Sequence, residues 1–211
     1  VHLCNAYTLA LADEDAVLAD VLRSDATNLP DGMPLVWWAK RQGHDRAERV
    51  YGPDLMELVL DVGRRRDTKH YLYGSTPEVL TALVAAIERR WPGAIVVGSE
   101  SPPFRPLDDD EVRASVERAN ELKAEVVWVG MGTPKQDFLV HRMSQMSDLT
   151  FVAIGAAFDF IAGTKRQAPR WVMKIGMEWA YRLATEPRRL WKRYVVYNWK
   201  FIRLLRRSGR L

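Results

Sequence analysis

The sequence has few of the residues that disulfides, metal sites and membrane spans require. Its 211 residues include one cysteine, Cys4, and four histidines that form no cluster. A single cysteine excludes an internal disulfide and fits a reducing compartment, and the scattered histidines lack metal-ligand spacing. No apolar run reaches the ~18 residues of a membrane-spanning helix, and no signal peptide is visible. Because the chain begins at Val1 without a Met, we expect further sequence before it in the natural protein.

Short apolar runs alternate along the chain with stretches that have helical periodicity. This alternation predicts an α/β fold, Rossmann-like, with a mostly parallel sheet and helices on both faces. Start signals predict helices over Val79–Arg90 and Glu111–Leu122. With 47% apolar residues, a chain of this length can bury one sizeable core. The predicted strands are Val1–Cys4, Ala26–Leu29, His70–Tyr73, Ala94–Val97, Val126–Val129 and Phe151–Ile154.

Turns that could bind a ligand follow the predicted strands. Four strands run into a glycine, and the other two run into Asn5 and into Pro30-Asp31-Gly32. Open α/β sheets bind ligands beyond the carboxyl ends of their strands. We therefore expect these polar turns to line one shared cleft.

The turn after Val126–Val129 has the composition of a phosphate-binding turn. Gly130 and Gly132 let backbone N–H groups approach an anion, Pro134 suits the first turn of a helix, and Lys135 adds charge at its positive end. The segment is neither the dinucleotide fingerprint nor a Walker A loop, since the glycines are too close together and no Ser or Thr follows the lysine. An ordinary strand-to-helix turn is the alternative.

Charge is distributed unevenly along the chain. The net charge is +4, yet residues 163–211 carry 14 Lys or Arg and two Glu, whereas the rest carries 17 basic and 25 acidic residues. This divides the chain into an α/β body, residues 1–162, and a basic helical appendage, residues 163–211. Apolar residues in the appendage recur at helical spacing on one face: Trp171, Ile175, Trp179 and Leu183, then, after Pro187, Leu190, Tyr194, Tyr197, Phe201 and Leu204. We expect Pro187 to start a second helix. The opposite side of the second stretch carries Arg189, Arg193, Lys200, Arg203 and Arg207, and only Val196 interrupts this basic stripe.

A basic amphipathic helix with aromatic residues at its boundary suits an anionic membrane surface. A solvated face over an intramolecular core is one alternative. Nucleic acid is another, which is disfavoured because the aromatic residues lie on the apolar face rather than between the arginines, where bases would stack. We expect membrane association and no nucleic-acid binding.

Three consecutive acids, Asp108–Asp110, invite comparison with the Asp-x-Asp metal sites of sugar-nucleotide transferases. They follow a proline and precede an apolar periodic stretch, where acids cap a helix and complement its dipole. The pattern therefore predicts a helix start rather than a metal site.

Six motifs mark almost the whole length of the chain. They are Asn5 within HLCNAYTLALA, Pro30-Asp31-Gly32, RVYGPD at 49–54, GMGTPKQD at 130–137, FDFIAG at 158–163, and EWAYRL at 178–183 followed by EPRR at 186–189. In order and spacing these motifs resemble the WecG/TagA/CpsF glycosyltransferases.

The resemblance implies a bacterial enzyme that transfers a sugar from a UDP-sugar to a polyprenyl-diphosphate-linked sugar, with inversion and without a metal or other cofactor, in cell-surface polysaccharide synthesis. It also implies a cytoplasmic enzyme that is peripheral on the inner face of the cell membrane. The appendage would bind the anionic membrane surface and help to complete the active site, and a homo-oligomer is compatible with the family. The motifs do not fix which sugar is donated.

The resemblance also assigns roles to residues. Asp31 matches the proposed general base, which takes the proton from the acceptor hydroxyl, although Pro30-Asp31-Gly32 could be only a turn. Asn5 would orient a substrate, or form an Asx turn. The catalytic arginines would be Arg182, Arg189 and Arg193, which stabilise the diphosphate leaving group unless they are solvated or salt-bridged surface charges.

The resemblance assigns binding of the UDP-sugar donor to a second set of residues. Among them, Gln136 and Asp159 would recognise the uracil or the ribose of the nucleotide. A helix cap at Phe158-Asp159 is the alternative for the second of these. The full donor set is Arg49, Gly52, Asp54, Gly74, Gly130, Gly132, Thr133, Pro134, Lys135, Gln136 and Asp159.

Two other classes of function stay open. One is a nucleotide-binding α/β enzyme of different chemistry, such as a dehydrogenase, which the missing G-x-G-x-x-G disfavours. The other is a non-catalytic membrane or nucleic-acid adaptor on a degenerate transferase fold, which the presence of Asp31 and Gln136 disfavours.

Overall fold

The computed structural model describes residues 1–207, and it confirms the predicted α/β fold. All six predicted strands are present within a few residues of their predicted bounds. The strands are β1 (His2–Cys4), β2 (Asn28–Pro30), β3 (Lys69–Gly74), β4 (Ile95–Glu100), β5 (Val126–Gly130) and β6 (Thr150–Ala153). They follow the sheet order β2-β1-β6-β5-β3-β4. The pairings of β1 with β6, β6 with β5, β5 with β3 and β3 with β4 are all parallel.

Helices connect the strands and form the C-terminal segment. Those before residue 166 are α1 (Ala6–Ala12), α2 (Ala16–Arg23), α3 (Met33–Arg41), α4 (Gly52–Gly63), α5 (Pro77–Arg90), α6 (Asp109–Glu121), α7 (Lys135–Ser144) and α8 (Ala157–Ile161). Those after it are α9 (Arg170–Lys174), α10 (Glu178–Thr185), α11 (Pro187–Trp191), a π-helical turn (Lys192–Val196) and α12 (Tyr197–Arg207). Both helices predicted from start signals, α5 and α6, are confirmed.

Contacts divide the chain into two compact units. Unit 1 comprises Val1–His2 and Gly52–Arg166, and unit 2 comprises Leu3–Tyr51 and Gln167–Leu211. The predicted boundary after residue 162 separates a catalytic body from an appendage by their functions, and it stays a prediction. The last four residues of that appendage, 208–211, lie outside the described part of the chain.

The core of unit 1 lies around β3, β5 and β6. Residues 127–130 of β5 are all buried, as expected for a parallel strand that is covered on both faces. The core includes Tyr71, Tyr73, Val112, Val116, Val127, Val129, Val140, Met143 and Phe151. Within unit 1, α6 begins where the sequence predicts: the Asp108 side chain accepts from the Glu111 N–H, and the Glu111 side chain accepts from the Asp108 N–H. This capping box confirms the helix-start interpretation of Asp108–Asp110.

Unit 2 is organised around the packing of α1 against α12. The Tyr7 and Tyr197 rings meet edge to face with centroids 4.8 Å apart. On the same side of the C-terminal helices, Leu190 and Phe201 are buried. The predicted apolar face from Leu190 to Leu204 is therefore confirmed as the face that packs in the core.

The first predicted helix of the appendage is interrupted. Gly176 adopts a positive φ of 74° between α9 and α10, so the i+4 apolar pattern from Trp171 onward does not form one continuous helix. Trp171, Ile175 and Trp179 are exposed rather than packed. The expectation that Pro187 starts a separate helix is confirmed by α11.

The solvent side of the second stretch is also different from its prediction. A second apolar stripe lies there, formed by Trp191, Val195, Trp199 and Ile202, all exposed. The prediction that only Val196 interrupts a basic stripe on this side is therefore wrong, because these four apolar residues recur there at the same helical spacing as the packed face. Within residues 1–207, no helix has the length and apolar character needed to cross a membrane.

Candidate active site

Asp31 follows β2 and begins a turn that the backbone holds firmly. Its N–H donates to the Cys4 carbonyl at 2.7 Å, and its own carbonyl accepts from the Arg49 Nε–H at 3.3 Å. The side chain is 24% exposed, but the Oδ1 atom is inaccessible and has no hydrogen-bond partner among residues 1–207. The nearest cation is the Arg49 Nη2 atom, 3.5 Å from Oδ1.

Arg49 is held by a second carboxylate. Its Nη2 atom donates to Glu178 Oε2 at 2.6 Å, and its guanidinium lies 4.5 Å from the centroid of the Tyr51 ring. Burial opposes the charge on Arg49, but Glu178 and Asp31 together raise the pKa of the guanidinium. Arg49 therefore stays charged between two acids.

The pKa of Asp31 is raised to about 7. Burial of the carboxyl group is the main cause, because a desolvated carboxylate is disfavoured relative to its neutral form. Glu178 raises the pKa further, whereas the charges of Arg49, Arg193 and Arg182 lower it without compensating for burial. A carboxyl group with this pKa exchanges its proton near neutral pH.

Arg193 is turned toward this cluster instead of toward solvent. It lies in the π-helical turn, a feature that is common at functional sites, and its guanidinium lies 4.6 Å from the centroid of the Tyr7 ring. Burial lowers its pKa, and the neighbouring Arg182 charge acts in the same direction. Its Nε atom is inaccessible and lacks a hydrogen-bond partner within the described chain. Two like charges beside one carboxyl group suit the binding of an anion.

Arg189 lies on the surface, in contrast to the other two appendage arginines. Its Nη2 atom forms an ion pair with Glu186 Oε2 at 2.6 Å, and its side chain is 54% exposed. This geometry matches the salt-bridged alternative, and a role in the reaction stays a prediction.

Asn5 uses its carboxamide oxygen to cap α1. Asn5 Oδ1 accepts from the N–H groups of Tyr7 and Thr8 at 3.0 and 3.3 Å. The Thr8 hydroxyl accepts from the Asn5 N–H at 3.3 Å, which completes a capping box. The structure thus confirms that the Asn5 side-chain oxygen binds the local backbone, as in the Asx-turn alternative. Contact between Asn5 and a substrate stays a prediction.

In unit 1, Gln136 connects the turns that follow β5 and β6. Its Oε1 atom accepts from the Gly132 N–H at 2.8 Å and from the Gly155 N–H at 3.0 Å. Gln136 is buried, so its oxygen is committed within the chain and its NH₂ group is the end that can donate to a ligand. The Gly132 N–H is thus already bound by Gln136, and donor binding by this turn stays a prediction.

Two glycines at the ends of β3 and β5 are required by packing. A Cβ atom at Gly74 would lie 2.8 Å from the Gly130 carbonyl oxygen, and one at Gly130 would lie 2.6 Å from the Phe158 ring. Gly132, by contrast, has a positive φ of 82° with open space around it, so its backbone conformation is what favours glycine there. Pro134 precedes α7 as its N-cap residue instead of lying in its first turn.

The remaining donor-binding predictions fall on several elements of unit 1. Asp159 lies inside α8, whose N-cap is Ala156, so the helix-cap alternative is wrong; its Oδ2 atom is 3.2 Å from Lys165 Nζ. The Lys135 Nζ atom lies 4.9 Å from the centroid of the fully exposed Phe104 ring. The others are Gly52 and Asp54 in the first turn of α4, the former buried and the latter exposed, and the half-buried Thr133 before Pro134.

No group of three or more His, Cys, Asp or Glu side chains within residues 1–207 is arranged to hold a metal ion. The sequence analysis did not identify Glu178 as a site residue. Glu178 lies in the first turn of α10, where an acid is usually explained by its favourable interaction with the helix dipole. Gly155, whose N–H contacts Gln136 from a turn 19 residues away, was also missed.

Comparisons with known proteins identify the family to which the chain belongs. The chain is 29% identical over 185 residues, 87% of its length and 69% of the relative's, to the N-acetylglucosaminyldiphosphoundecaprenol N-acetyl-beta-D-mannosaminyltransferase of Bacillus subtilis. It is 29% identical over 177 residues, 82% of its length and 65% of the relative's, to the enzyme of the same name from Bacillus spizizenii. It thus spans about two thirds of each relative. The model of the glycosyl transferase WecG/TagA/CpsF family matches residues 1–211, so the chain belongs to this family of glycosyltransferases.

Proposed function

We propose that this glycosyltransferase moves a sugar from a UDP-sugar to a sugar carried on a polyprenyl diphosphate, with inversion at the anomeric carbon, in cell-surface polysaccharide synthesis. The observation that carries the proposal is the half-buried Asp31 carboxyl group with its inaccessible Oδ1 atom, whose pKa of about 7 suits a general base at neutral pH. The acceptor class is supported by the names of both relatives, which contain N-acetylglucosaminyldiphosphoundecaprenol.

In this reaction Asp31 takes the proton from the acceptor hydroxyl group as its oxygen bonds to the anomeric carbon. The bond from that carbon to the phosphate oxygen breaks, and UDP leaves with the electron pair. Attack opposite the leaving group inverts the anomeric configuration in one displacement. Because the pKa of Asp31 lies near the working pH, a useful fraction of the carboxyl group is ionised and still basic.

Arg193 and Arg182 would stabilise the negative charge that develops on the diphosphate. Their charges are already present beside Asp31, and the Tyr7 ring fixes the orientation of the Arg193 guanidinium. Fixed cations in a desolvated site stabilise a transition state without reorganising during the reaction.

The nucleotide would bind at the turn after β5. The Gln136 oxygen is engaged by two backbone N–H groups, so its amide hydrogens would be the ones to donate to ligand acceptors such as uracil or ribose oxygens. Asp159 would accept from a ribose hydroxyl group once Lys165 releases it. Metal independence belongs to the same proposal: turnover should persist in EDTA and should not rise on addition of Mn²⁺.

The test is the Asp31→Asn variant, assayed for sugar transfer to a lipid-diphosphate acceptor and for UDP affinity by calorimetry. Transfer should fall by about 10²–10⁴-fold because the base is lost, while the UDP dissociation constant stays within about twofold because the base acts on the acceptor. Asp20→Asn, which changes an exposed acid of the same unit, is the matched control. Near-normal transfer by Asp31→Asn would remove Asp31 from this role.

Membrane association would place the enzyme beside its lipid-linked acceptor on the inner face of the cell membrane. Its support is the exposed stripe of Trp191, Val195, Trp199 and Ile202, beside the exposed cations Lys192 and Arg203. Tryptophan residues and cations along one helix face are typical of helices that lie in a membrane interface.

This part of the proposal is tested by sedimentation with liposomes that contain phosphatidylglycerol or only phosphatidylcholine. Binding should require the anionic lipid, and Trp199→Ala should weaken it severalfold. Phe104→Ala removes an even more exposed aromatic residue from unit 1 and should leave binding unchanged. Equal loss in both variants would contradict membrane binding through the stripe.

A further inference from the structure

The Arg49 guanidinium is shared unequally between two carboxylates in unit 2. Its Nη2 atom is 2.6 Å from Glu178 Oε2 and 3.5 Å from Asp31 Oδ1. The shorter contact is a charge-assisted hydrogen bond, and the longer one is beyond a strong one. Glu178, with 12% of its side chain exposed, therefore takes the better hydrogen bond from an Arg49 atom that lies near both acids.

The consequence is visible at Asp31. Its Oδ1 atom is buried and has no hydrogen-bond partner within the described residues, although a cationic donor is only 3.5 Å away. A small shift of the guanidinium would satisfy Oδ1 and quench its basicity. The present geometry holds the guanidinium back, since Nη2 is bound by Glu178 and Nε by the Asp31 carbonyl.

We propose that Glu178 is a positioning residue for the transfer reaction, which holds the Arg49 guanidinium off the Asp31 carboxylate so that this carboxylate stays free to accept the proton of the acceptor. The inference rests on the proposed function of Asp31. Glu178 itself would touch neither substrate nor product, and it would act only through Arg49.

The electrostatics of the cluster agree with this assignment. Burial raises the pKa of Asp31 to about 7, and Glu178 is the one charged neighbour that pushes it further up. The three cations that face the same carboxyl group, Arg49, Arg193 and Arg182, all push it down. Removing the Glu178 charge would take away the opposing influence and would free Arg49 to close on Asp31.

Glu178→Gln should therefore lower the pKa of Asp31 by one unit or more, a tenfold or larger change in its ionisation constant. The acidic limb of the pH–rate profile should move to lower pH by the same amount. The rate on the plateau should fall, because a weaker base accepts the proton less readily. Glu178→Asp keeps the charge and should recover a pKa near that of the unaltered protein.

The direct measurement is a ¹³C NMR titration of aspartate carboxyl carbons, with the Asp31 signal assigned by its loss in Asp31→Asn. The matched control is Glu57→Gln in unit 1, which removes a glutamate from a 2.6 Å ion pair with Arg90 and should leave the Asp31 titration unchanged. Circular dichroism checks that each variant is folded, and Glu178→Asp keeps the test open if Glu178→Gln is not.

The outcomes separate the inference from the function on which it rests. A lower Asp31 pKa in Glu178→Gln, with a matching shift of the rate profile, supports both. An unchanged Asp31 pKa overturns the role of Glu178, whatever happens to the rate. A lower pKa with an unshifted rate profile supports the coupling through Arg49 but removes Asp31 as the base, so that it overturns the proposed function instead.

Discussion

The two units differ in how they hold the polar groups of the candidate site. In unit 1 the Gln136 oxygen accepts two backbone N–H groups. In unit 2 the Asp31 Oδ1 and Arg193 Nε atoms are buried without hydrogen-bond partners in the described chain. A polar group whose hydrogen bonds are satisfied stabilises the local fold. A charged group with a buried, unpartnered atom has a shifted pKa and can bind a ligand of complementary charge.

This difference suggests a division of labour within one chain. Unit 1 presents a prearranged turn whose donors and acceptors are fixed before a ligand arrives, which favours affinity and selectivity. Unit 2 keeps a desolvated acid beside cations, an arrangement that costs stability and supplies reactivity. Changes in unit 2 should therefore alter turnover, and changes in unit 1 should alter donor affinity.

The largest effect that would sharpen the comparison is expected from Arg193→Ala. Loss of a fixed, half-buried cation should raise the barrier of the transfer step by about 3 kcal/mol, so that kcat falls on the order of 10²-fold. Arg193→Lys should not restore it, because an ammonium group lacks the planar guanidinium that stacks on Tyr7. The readout is kcat with a soluble acceptor.

Arg189→Ala is the matched control, since it removes an appendage arginine that is exposed and paired with Glu186. Its effect on kcat should be much smaller. Equal losses in the two variants would mean that burial beside Asp31 does not select the arginines that stabilise the leaving group.

The second effect is on the free energy of unfolding, which the raised pKa of Asp31 lowers at neutral pH. The pKa of Asp31 is about 7 against an ordinary value of 3.8, so the folded state binds more protons than the unfolded state between these values. Stability must then fall as pH rises from about 4 to about 7. Asp31→Asn removes this titration and should be more stable than the parent by about 2 kcal/mol at pH 8, a value reduced from the full shift because the side chain is partly exposed.

Urea unfolding at pH 4 and pH 8 measures this difference. At pH 4 both proteins carry a neutral side chain at position 31 in the folded state, so the gap should close. A gap that stays constant, or that widens toward acid pH, would show that Asp31 is not raised by burial.

A third, smaller effect tests unit 1. Gln136→Glu keeps an oxygen for the Gly132 and Gly155 N–H groups but loses the NH₂ donor. The UDP dissociation constant should rise about 5–30-fold, a loss of about 1–2 kcal/mol of binding free energy, because a ligand acceptor loses its partner. The plateau kcat and the pH profile should hardly change. A change of the acidic limb instead would break the proposed separation of roles, and calorimetry with rate profiles on the same samples decides the matter.

The sequence predicts features whose signals are local. The start of α6 follows from Asp108 and Glu111, three residues apart, and the strands follow from short apolar runs that end in glycine. Features that depend on distant partners escape it. Nothing near Glu178 reveals that its partner is Arg49, 129 positions earlier.

Helical periodicity also fails where the helix itself changes. A π-helical turn adds a residue to one turn, so positions beyond it are rotated relative to those before it. The pattern gives no sign of this turn, which contains Arg193. The exposed stripe of Trp191, Val195, Trp199 and Ile202 has regular helical spacing, so spacing alone does not distinguish it from the packed face. Gly176 lies between Ile175 and Trp179 of the predicted apolar face, and nothing in that spacing indicates that its positive φ ends α9.

The smallest effect concerns cations of α12 that the sequence assigns to the membrane. Arg207 Nη2 donates to both carboxylate oxygens of Asp13, at 2.8 and 2.7 Å, so its charge is already paired within unit 2. A double-mutant cycle of Asp13→Asn and Arg207→Gln should give a coupling of about 0.3–1 kcal/mol, as expected for an exposed pair, and it should shrink in high salt.

The same variants decide between packing and lipid binding for this end of α12. Because Asp13 already neutralises Arg207, Arg207→Gln should reduce binding to anionic liposomes less than Trp199→Ala does, since Trp199 is 63% exposed and has apolar surface to bury in the interface. If Arg207→Gln weakens binding more than Trp199→Ala and the stability cycle shows no coupling, charge at α12 governs the membrane contact and the ion pair with Asp13 contributes nothing in solution.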